Sequence, residues 1–183
     1  MLSAHNAECL YQPDTLVVPH RGAIYKYRPI PWLEPPLFLL RNIKWTPPRS
    51  ANVHKSSELR DAFRRHEHRR QEYVMASAKR RHIVILSSDL DVRQPQMKQV
   101  FVAPTYTFGT NQAFRTAVQQ DQLPFAFYVA TDPSYPGVGE CYMDFRKAQP
   151  LDKGFLSSGK LAVCFTQQAI KAILLRFQRF LAW

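Results

Sequence analysis

Acidic side chains are scarce in this chain of 183 residues: 14 Asp and Glu stand against 25 Lys and Arg, a formal net charge of +11. With a pI near 9.9, such a field selects polyanionic partners, namely RNA, DNA, an acidic protein or an anionic surface. Cysteine is scarce too. Cys9, Cys141 and Cys164 are an odd set, spread out and without metal-type spacing, which argues against a disulfide framework and for reduced thiols. Met1–Pro13 lacks the apolar core of a signal segment, and no apolar run approaches membrane-spanning length. The expectation is a soluble, cytoplasmic chain with no membrane partner.

Signature motifs are missing as well. There is no GxxxxGK[ST] loop, no GxGxxG turn, no CxxC pair and no HExxH, so the nucleotide, dinucleotide, thiol-redox and zinc-hydrolase classes lose their sequence support. His66 and His68 are two apart; on a helix they diverge and cannot chelate one ion together, and neither metal nor cofactor is expected. A Ser-His-Asp triad has no fixed spacing and stays open, although no GxSxG turn is present. Repeats and low-complexity segments are also absent.

What is present starts with Arg80-Arg81-His82-Ile83-Val84-Ile85-Leu86, closed by Ser87-Ser88-Asp89. Consecutive β-branched residues apolar on both faces predict a central strand covered on both sides. Upstream, Met1–Pro19 shows little pattern, with Thr15–Val18 as a short strand. Ala23–Tyr27 alternates as a first strand. Proline then punctuates the chain at 29, 31, 35, 36, 47 and 48, leaving Leu37–Trp45 as a strand between breaks.

Ser56 or Ser57 is a plausible cap for a helix over Glu58–Lys79, which has no Gly or Pro. Lys55–Arg81 carries nine Lys and Arg against four acids. That run reads equally as a solvated helix face and as a surface following a nucleic-acid backbone, through Arg64, Arg65, Arg69 and Arg70.

Downstream, a polar connection over Ser87–Lys98 leads to a strand at Gln99–Pro104. A helix capped by Asn111 covers Asn111–Gln120, strands follow at Phe125–Ala130 and Val138–Phe145, Leu151–Leu156 is turn-like, and Lys160–Phe165 is apolar. Thr166 caps the clearest helix, whose Ile170, Ile173, Leu174, Phe177 and Leu181 share one face. The fold expected is mostly β with helical additions: a small antiparallel barrel closed by a C-terminal amphipathic helix. It forms a single domain over 1–183, with a Pro-rich and basic helical insertion at about 29–80.

The groups left for chemistry are Arg81 at a strand start and Thr105 and Thr107 leaving a neighbouring strand. They suit transfer at a phosphodiester: a guanidinium offsets charge growing on the phosphoryl oxygens and a hydroxyl donates to it. RNA brings its own nucleophile in the 2′-OH. Tyr106 and Phe108 offer stacking faces, and Arg80 and His82 flank the candidate. The structural alternatives are a turn hydroxyl for each Thr, rim or core packing for the aromatics, and a packed His82 pointing away from Arg81.

The order of segments resembles the MazF/PemK ribonuclease toxins of type II toxin–antitoxin modules. His20-Arg21-Gly22-Ala23-Ile24-Tyr25 resembles their RGDIY-type opening, Arg81–Ser87 their RPxLVLS strand, and Val102–Thr107 their VxPxTT-like strand end. Leu123-Pro124-Phe125 and Gly137–Asp144 fall where that family starts its next strand and carries a GxxLxDQ-type segment. The likeness spans roughly two-thirds of the chain and rests on segment order. It implies an SH3-like barrel, usually dimeric, that cuts single-stranded RNA without a metal and is blocked by an acidic antitoxin. The family's catalytic Arg falls on Arg81; its Thr falls between Thr105 and Thr107, because strict register puts Tyr106 there. Pro is replaced by His82 and the Gln after Asp144 by Phe145, and a short loop has become Pro29–Arg80. The insertion would cover the RNA groove, extend it or replace the antitoxin contact.

Two functions follow from these residues. One is a metal-independent endoribonuclease toxin. The other is a catalytically degenerate barrel that binds nucleic acid or an acidic partner. Inhibition of a protein target such as a topoisomerase is a third and weaker option.

Overall fold

The computed structural model describes residues 10–31, 38–44, 50–54, 73–75, 78–135 and 137–182. The chain divides into two compact units, one from Met1–Arg28 with Arg80–Trp183 and one from Pro29–Lys79.

The first unit is an antiparallel sheet curled into a half-barrel, in the order β1-β11-β2-β6-β7-β9-β8 with β10 added on β7. Its strands are β1 (Tyr11–Pro13), β2 (Ala23–Pro31), β6 (Ala78–Ile85), β7 (Gln99–Tyr106), β8 (Ala126–Val129), β9 (Cys141–Asp144), β10 (Gln149–Asp152) and β11 (Lys160–Phe165). Three α-helices accompany them among the described residues: α1 (Asp89–Arg93), α2 (Gln112–Gln119) and α3 (Gln167–Leu181).

β6 lies at the middle of the sheet, between β2 and β7, as its unbroken apolar run requires. Ile83, Val84 and Ile85 have no exposed surface. Alternation sends Val84 and Leu86 into the main core with Ile24, Ala103, Met143, Phe165 and the α3 residues Ala169, Ile170 and Ile173. Burying one such aliphatic side chain contributes about 1.5–3 kcal/mol. β7 pairs with β6 along one edge (Ile83↔Pro104, Val84↔Ala103, Ile85↔Val102). Its other edge is shared: Val102 faces Gln149 of β10, whereas Thr105 and Tyr106 face Met143 and Tyr142 of β9. The 3-10 turn Phe145–Lys147 between those two strands makes the corner, capped by the Asp144 carboxylate on the Arg146 N–H.

Asn111 and Thr166 cap α2 and α3 as their types predict, accepting from the N–H groups of Phe114 and Ala169. The α3 face differs from expectation at its end. Leu181 is 66% exposed; Phe180 packs on the core in its place, beside the expected Leu174 and Phe177, with Phe177 5.2 Å from Phe145 between ring centroids. The turn before β2 needs Gly22: its φ is +83°, and a Cβ there would stand 2.9 Å from Ile170 Cδ1.

Other boundaries move too. Thr15–Val18 is not a strand: the Asp14 carboxylate takes the Leu16 N–H at 3.1 Å and turns the chain. The strand lies earlier, at Tyr11–Pro13, where Tyr11 pairs with Phe165 and its hydroxyl reaches the Ala130 carbonyl at 2.9 Å. Leu151–Leu156 contains the end of β10 before its 3-10 turn, and the strand expected over Val138–Phe145 is confined to Cys141–Asp144.

The second unit carries a three-stranded antiparallel sheet, ordered β4 (Ser50–His54), β3 (Phe38–Lys44), β5 (Tyr73–Met75). β3 is the strand foreseen between prolines; β4 follows Pro48 and was not foreseen. The basic helix expected over Glu58–Lys79 is corrected at its end. Tyr73–Met75 is a strand paired with Phe38–Leu40, and β6 begins at Ala78, as Tyr and Val prefer. Residues 58–72, with Arg64, Arg65, Arg69 and Arg70, lie outside the described residues.

Candidate functional site

The β6–β7 ladder prints the candidate site's geometry. Continuing it past Ile83↔Pro104 sets His82 opposite Thr105 and Arg81 opposite Tyr106. Side chains agree with that register: Thr105 Oγ1 donates to the His82 carbonyl at 3.4 Å, and Arg81 Cζ lies 4.7 Å from the Tyr106 ring centroid. Around this crossing is a cleft of about 210 Å³, lined by Arg80, Arg81, His82, Thr105, Tyr106, Thr107, Gly139, Glu140 and Cys141. Six residues singled out from two separate sequence segments thus share one wall.

Their exposures differ in a way that bears on chemistry. Arg80 and Thr107 are exposed, and Arg81 and His82 are half-buried. Arg81 Nε is buried with no hydrogen-bond partner among the described residues. Thr105 is 8% exposed and its hydroxyl is engaged inward, on the His82 carbonyl and on the Cys141 thiol. Burial lowers the His82 imidazole below its ordinary range, and the charge of Lys26 lowers it further, so the ring is neutral at neutral pH. Burial pushes the Cys141 thiol up to about 12, which removes it as a nucleophile.

Beside the cleft stands an aromatic cluster. Tyr106 stacks on Tyr142 at 5.6 Å, and Phe108 lies 5.2 Å from Tyr142 and 5.9 Å from Tyr128. Phe108 is therefore packed on its neighbours and is not a cleft-lining residue. Burial raises the Tyr142 phenol, with Asp144 adding to the shift and Arg146 and Arg81 opposing it.

Sequence reasoning missed the polar frame. Glu140 accepts from Arg115 Nε at 3.0 Å, from Tyr128 Oη at 2.6 Å and, through Oε2, from Arg115 Nη2 at 2.6 Å. Buried Asp144 holds the Arg146 fork at 2.8 and 3.0 Å, and the guanidinium lies 3.7 Å from the Phe125 centroid. The Glu140 partners come from distant segments that no local spacing announces, whereas Asp144 and Arg146 are two residues apart and meet through the 3-10 turn. Among the described residues no group of three His, Cys, Asp or Glu side chains gathers at the cleft; Asp14, His20 and Cys164 form such a group elsewhere in the unit. The spacing of the cysteines gave no hint of it.

No protein-family model and no curated protein matches this chain. Among the described residues, no helix is long and apolar enough to cross a membrane.

Proposed function

We propose that the chain is an endoribonuclease toxin of MazF/PemK type that binds single-stranded RNA at the β6–β7 cleft and cleaves it without a metal. The observation that carries the reading is the meeting of Arg80, Arg81 and Thr107 around one cleft beside Tyr106. A phosphate seated there meets two guanidinium groups and a hydroxyl. In the reaction the substrate's 2′-oxygen bonds to phosphorus and the P–O5′ bond breaks. The 2′-OH proton passes to solvent, and the 5′-oxygen takes one up. Arg81 offsets the charge developing on the non-bridging oxygens. Glu140, the one carboxylate lining the cleft among the described residues, is already held by Arg115 and Tyr128, which supports a metal-free reaction. The SH3-like form of the barrel, a homodimer and an acidic antitoxin belong to the same reading, the last supported by the +11 charge.

The inward-turned Thr105 favours a second reading, a barrel that binds RNA without cutting it. Incubation of the protein with varied single-stranded RNAs in EDTA, well below the melting transition, separates the two. The first reading expects fragments ending in 2′,3′-cyclic phosphate, none from a substrate with deoxyribose at the scissile position, and none from Arg81→Ala. Binding without cleavage across the set leaves the second reading, and a requirement for added divalent metal overturns the first.

A further inference from the structure

At the other end of β6, where the Gly22 N–H meets the Ile85 carbonyl, the sheet register assembles three side chains of metal-ligand type. Arg81 and Ile85 are four positions apart, roughly 13 Å along a strand, so this cluster is distinct from the cleft. Cys164 pairs with Gln12 on β1 and with Ala23 on β2. Asp14 follows Gln12 by two residues and His20 precedes Ala23 by three, so both are delivered to the sulfur. One ligand atom from each of Asp14, His20 and Cys164 lies within 4.8 Å of the other two. His20 is 7% and Cys164 2% exposed; Asp14 is half-buried as a residue, but its side chain has no exposed surface.

The hydrogen bonds show which atoms face inward. His20 Nδ1 is 2.9 Å from the Arg21 carbonyl, an acceptor only, so Nδ1 carries hydrogen. Nε2 then faces Asp14 Oδ2 at 2.9 Å. In the neutral ring that contact sets a lone pair against a carboxylate, and a proton or a shared cation is needed to make it attractive. A ligand histidine is oriented in this way, with its other N–H on a backbone carbonyl. Gln12 Nε2 points at Cys164 Sγ from 3.6 Å, a donor suited to a thiolate.

We infer that Asp14, His20 and Cys164 form a binding site for a zinc-class divalent cation, with water from the adjoining cleft as fourth ligand. One oxygen, one nitrogen and one sulfur make a borderline-soft set that favours zinc over magnesium or calcium. The adjoining cleft, about 210 Å³ and lined in part by Gln12, Leu16 and Gln167, gives the ion a way in. Metal ligands bind deprotonated, so loading releases the Cys164 thiol proton, and any proton held at His20 Nε2, to solvent. Lys160 is the rival occupant, since its Nζ meets Asp14 Oδ2 at 2.8 Å. The bound ion ties β1 and the segment after it to β11, and this clip stabilises the folded chain.

The test uses the full-length protein, stripped of metal and titrated with Zn²⁺ and with Co²⁺. One equivalent of Zn²⁺ should bind and raise the melting temperature, and the Co²⁺ form should show a thiolate-to-cobalt charge-transfer band. Cys164→Ser should abolish the band and weaken Zn²⁺ binding on the order of tenfold or more, whereas Cys9→Ser and Cys141→Ser should leave both. His20→Gln serves if Cys164→Ser does not fold, and it should weaken Zn²⁺ binding likewise. Absence of Zn²⁺ binding by the wild type, a Co²⁺ complex without the band, or a band surviving Cys164→Ser overturns the site. The failure of RNA cleavage leaves this inference untouched, since neither metal readout involves RNA.

Discussion

Arg81 lies against the ring of Tyr106, its Cζ 4.7 Å from the centroid, and Tyr106 stacks in turn on Tyr142 at 5.6 Å. The pairing follows from the antiparallel register that sets β6 against β7. It anchors the guanidinium beside the ring, at the wall of the cleft. Cation–π contact contributes about 0.5–1 kcal/mol at a partly exposed site, enough to favour one orientation and too little to dominate the fold.

Arg81→Ala should therefore lower RNA cleavage by about 10²–10³, with a loss of only about 1 kcal/mol in stability. Arg81→Lys should recover part of the activity, because an ammonium keeps the charge but loses the planar fork and the stacking. Single-turnover rates beside urea melts check both. Equal losses in rate and stability would make Arg81 a packing residue.

Glu140 ties α2 to β8 through Arg115 and Tyr128. Glu140→Ala should cost on the order of 1 kcal/mol, since Arg115 and Glu140 are partly exposed and screened. A double-mutant cycle with Arg115→Ala should return a coupling of about 0.5 kcal/mol or more. Additive effects in urea unfolding would show that the frame is not a unit.

The strands were legible where burial dictates composition. Ile83–Ile85 could only be central, and the Arg81 and Thr105–Thr107 segments meet because consecutive buried strands pair. Tyr11–Pro13 was illegible because a three-residue strand leaves no period to read, and its place comes from pairing with distant β11. The helix expected over Glu58–Lys79 erred at Tyr73–Met75, where absence of Gly and Pro was weighed above the β preference of Tyr and Val. Thr105 lines the cleft beside Arg81, but its inward turn depends on the His82 carbonyl, which no sequence pattern shows. Asp14, His20 and Cys164 are joined only by register.

The apolar face of α3 offers a contrast within one helix. Ile173 has no exposed surface, while Leu181 is 66% exposed. Ile173→Ala should cost about 2–5 kcal/mol, through lost transfer energy and the cavity left behind. Leu181→Ala should stay within about 0.5 kcal/mol. Urea midpoints at constant slope distinguish them; similar losses at both positions would mean that the end of α3 is covered in solution.

His82 should make the fold acid-sensitive. Burial, with the charge of Lys26, holds its imidazole below the ordinary value of 6.5; Arg80 and Arg81 stand beside it, and Glu140 and Cys141 line the same cleft. Because the folded value is depressed, the unfolded chain binds the proton more readily. Over the window from about 6.5 downward the unfolded state holds more protons, so stability falls as pH falls. Above the ordinary imidazole range both states are neutral and the contribution is flat. His82→Gln, uncharged at every pH, should remove this part of the acid sensitivity while the rest of the profile remains. Thermal melts of both proteins between pH 8 and pH 5 should diverge on the acid side only. Parallel curves would show that the imidazole titrates alike in the two states, and the desolvation argued for the cleft would fail with it.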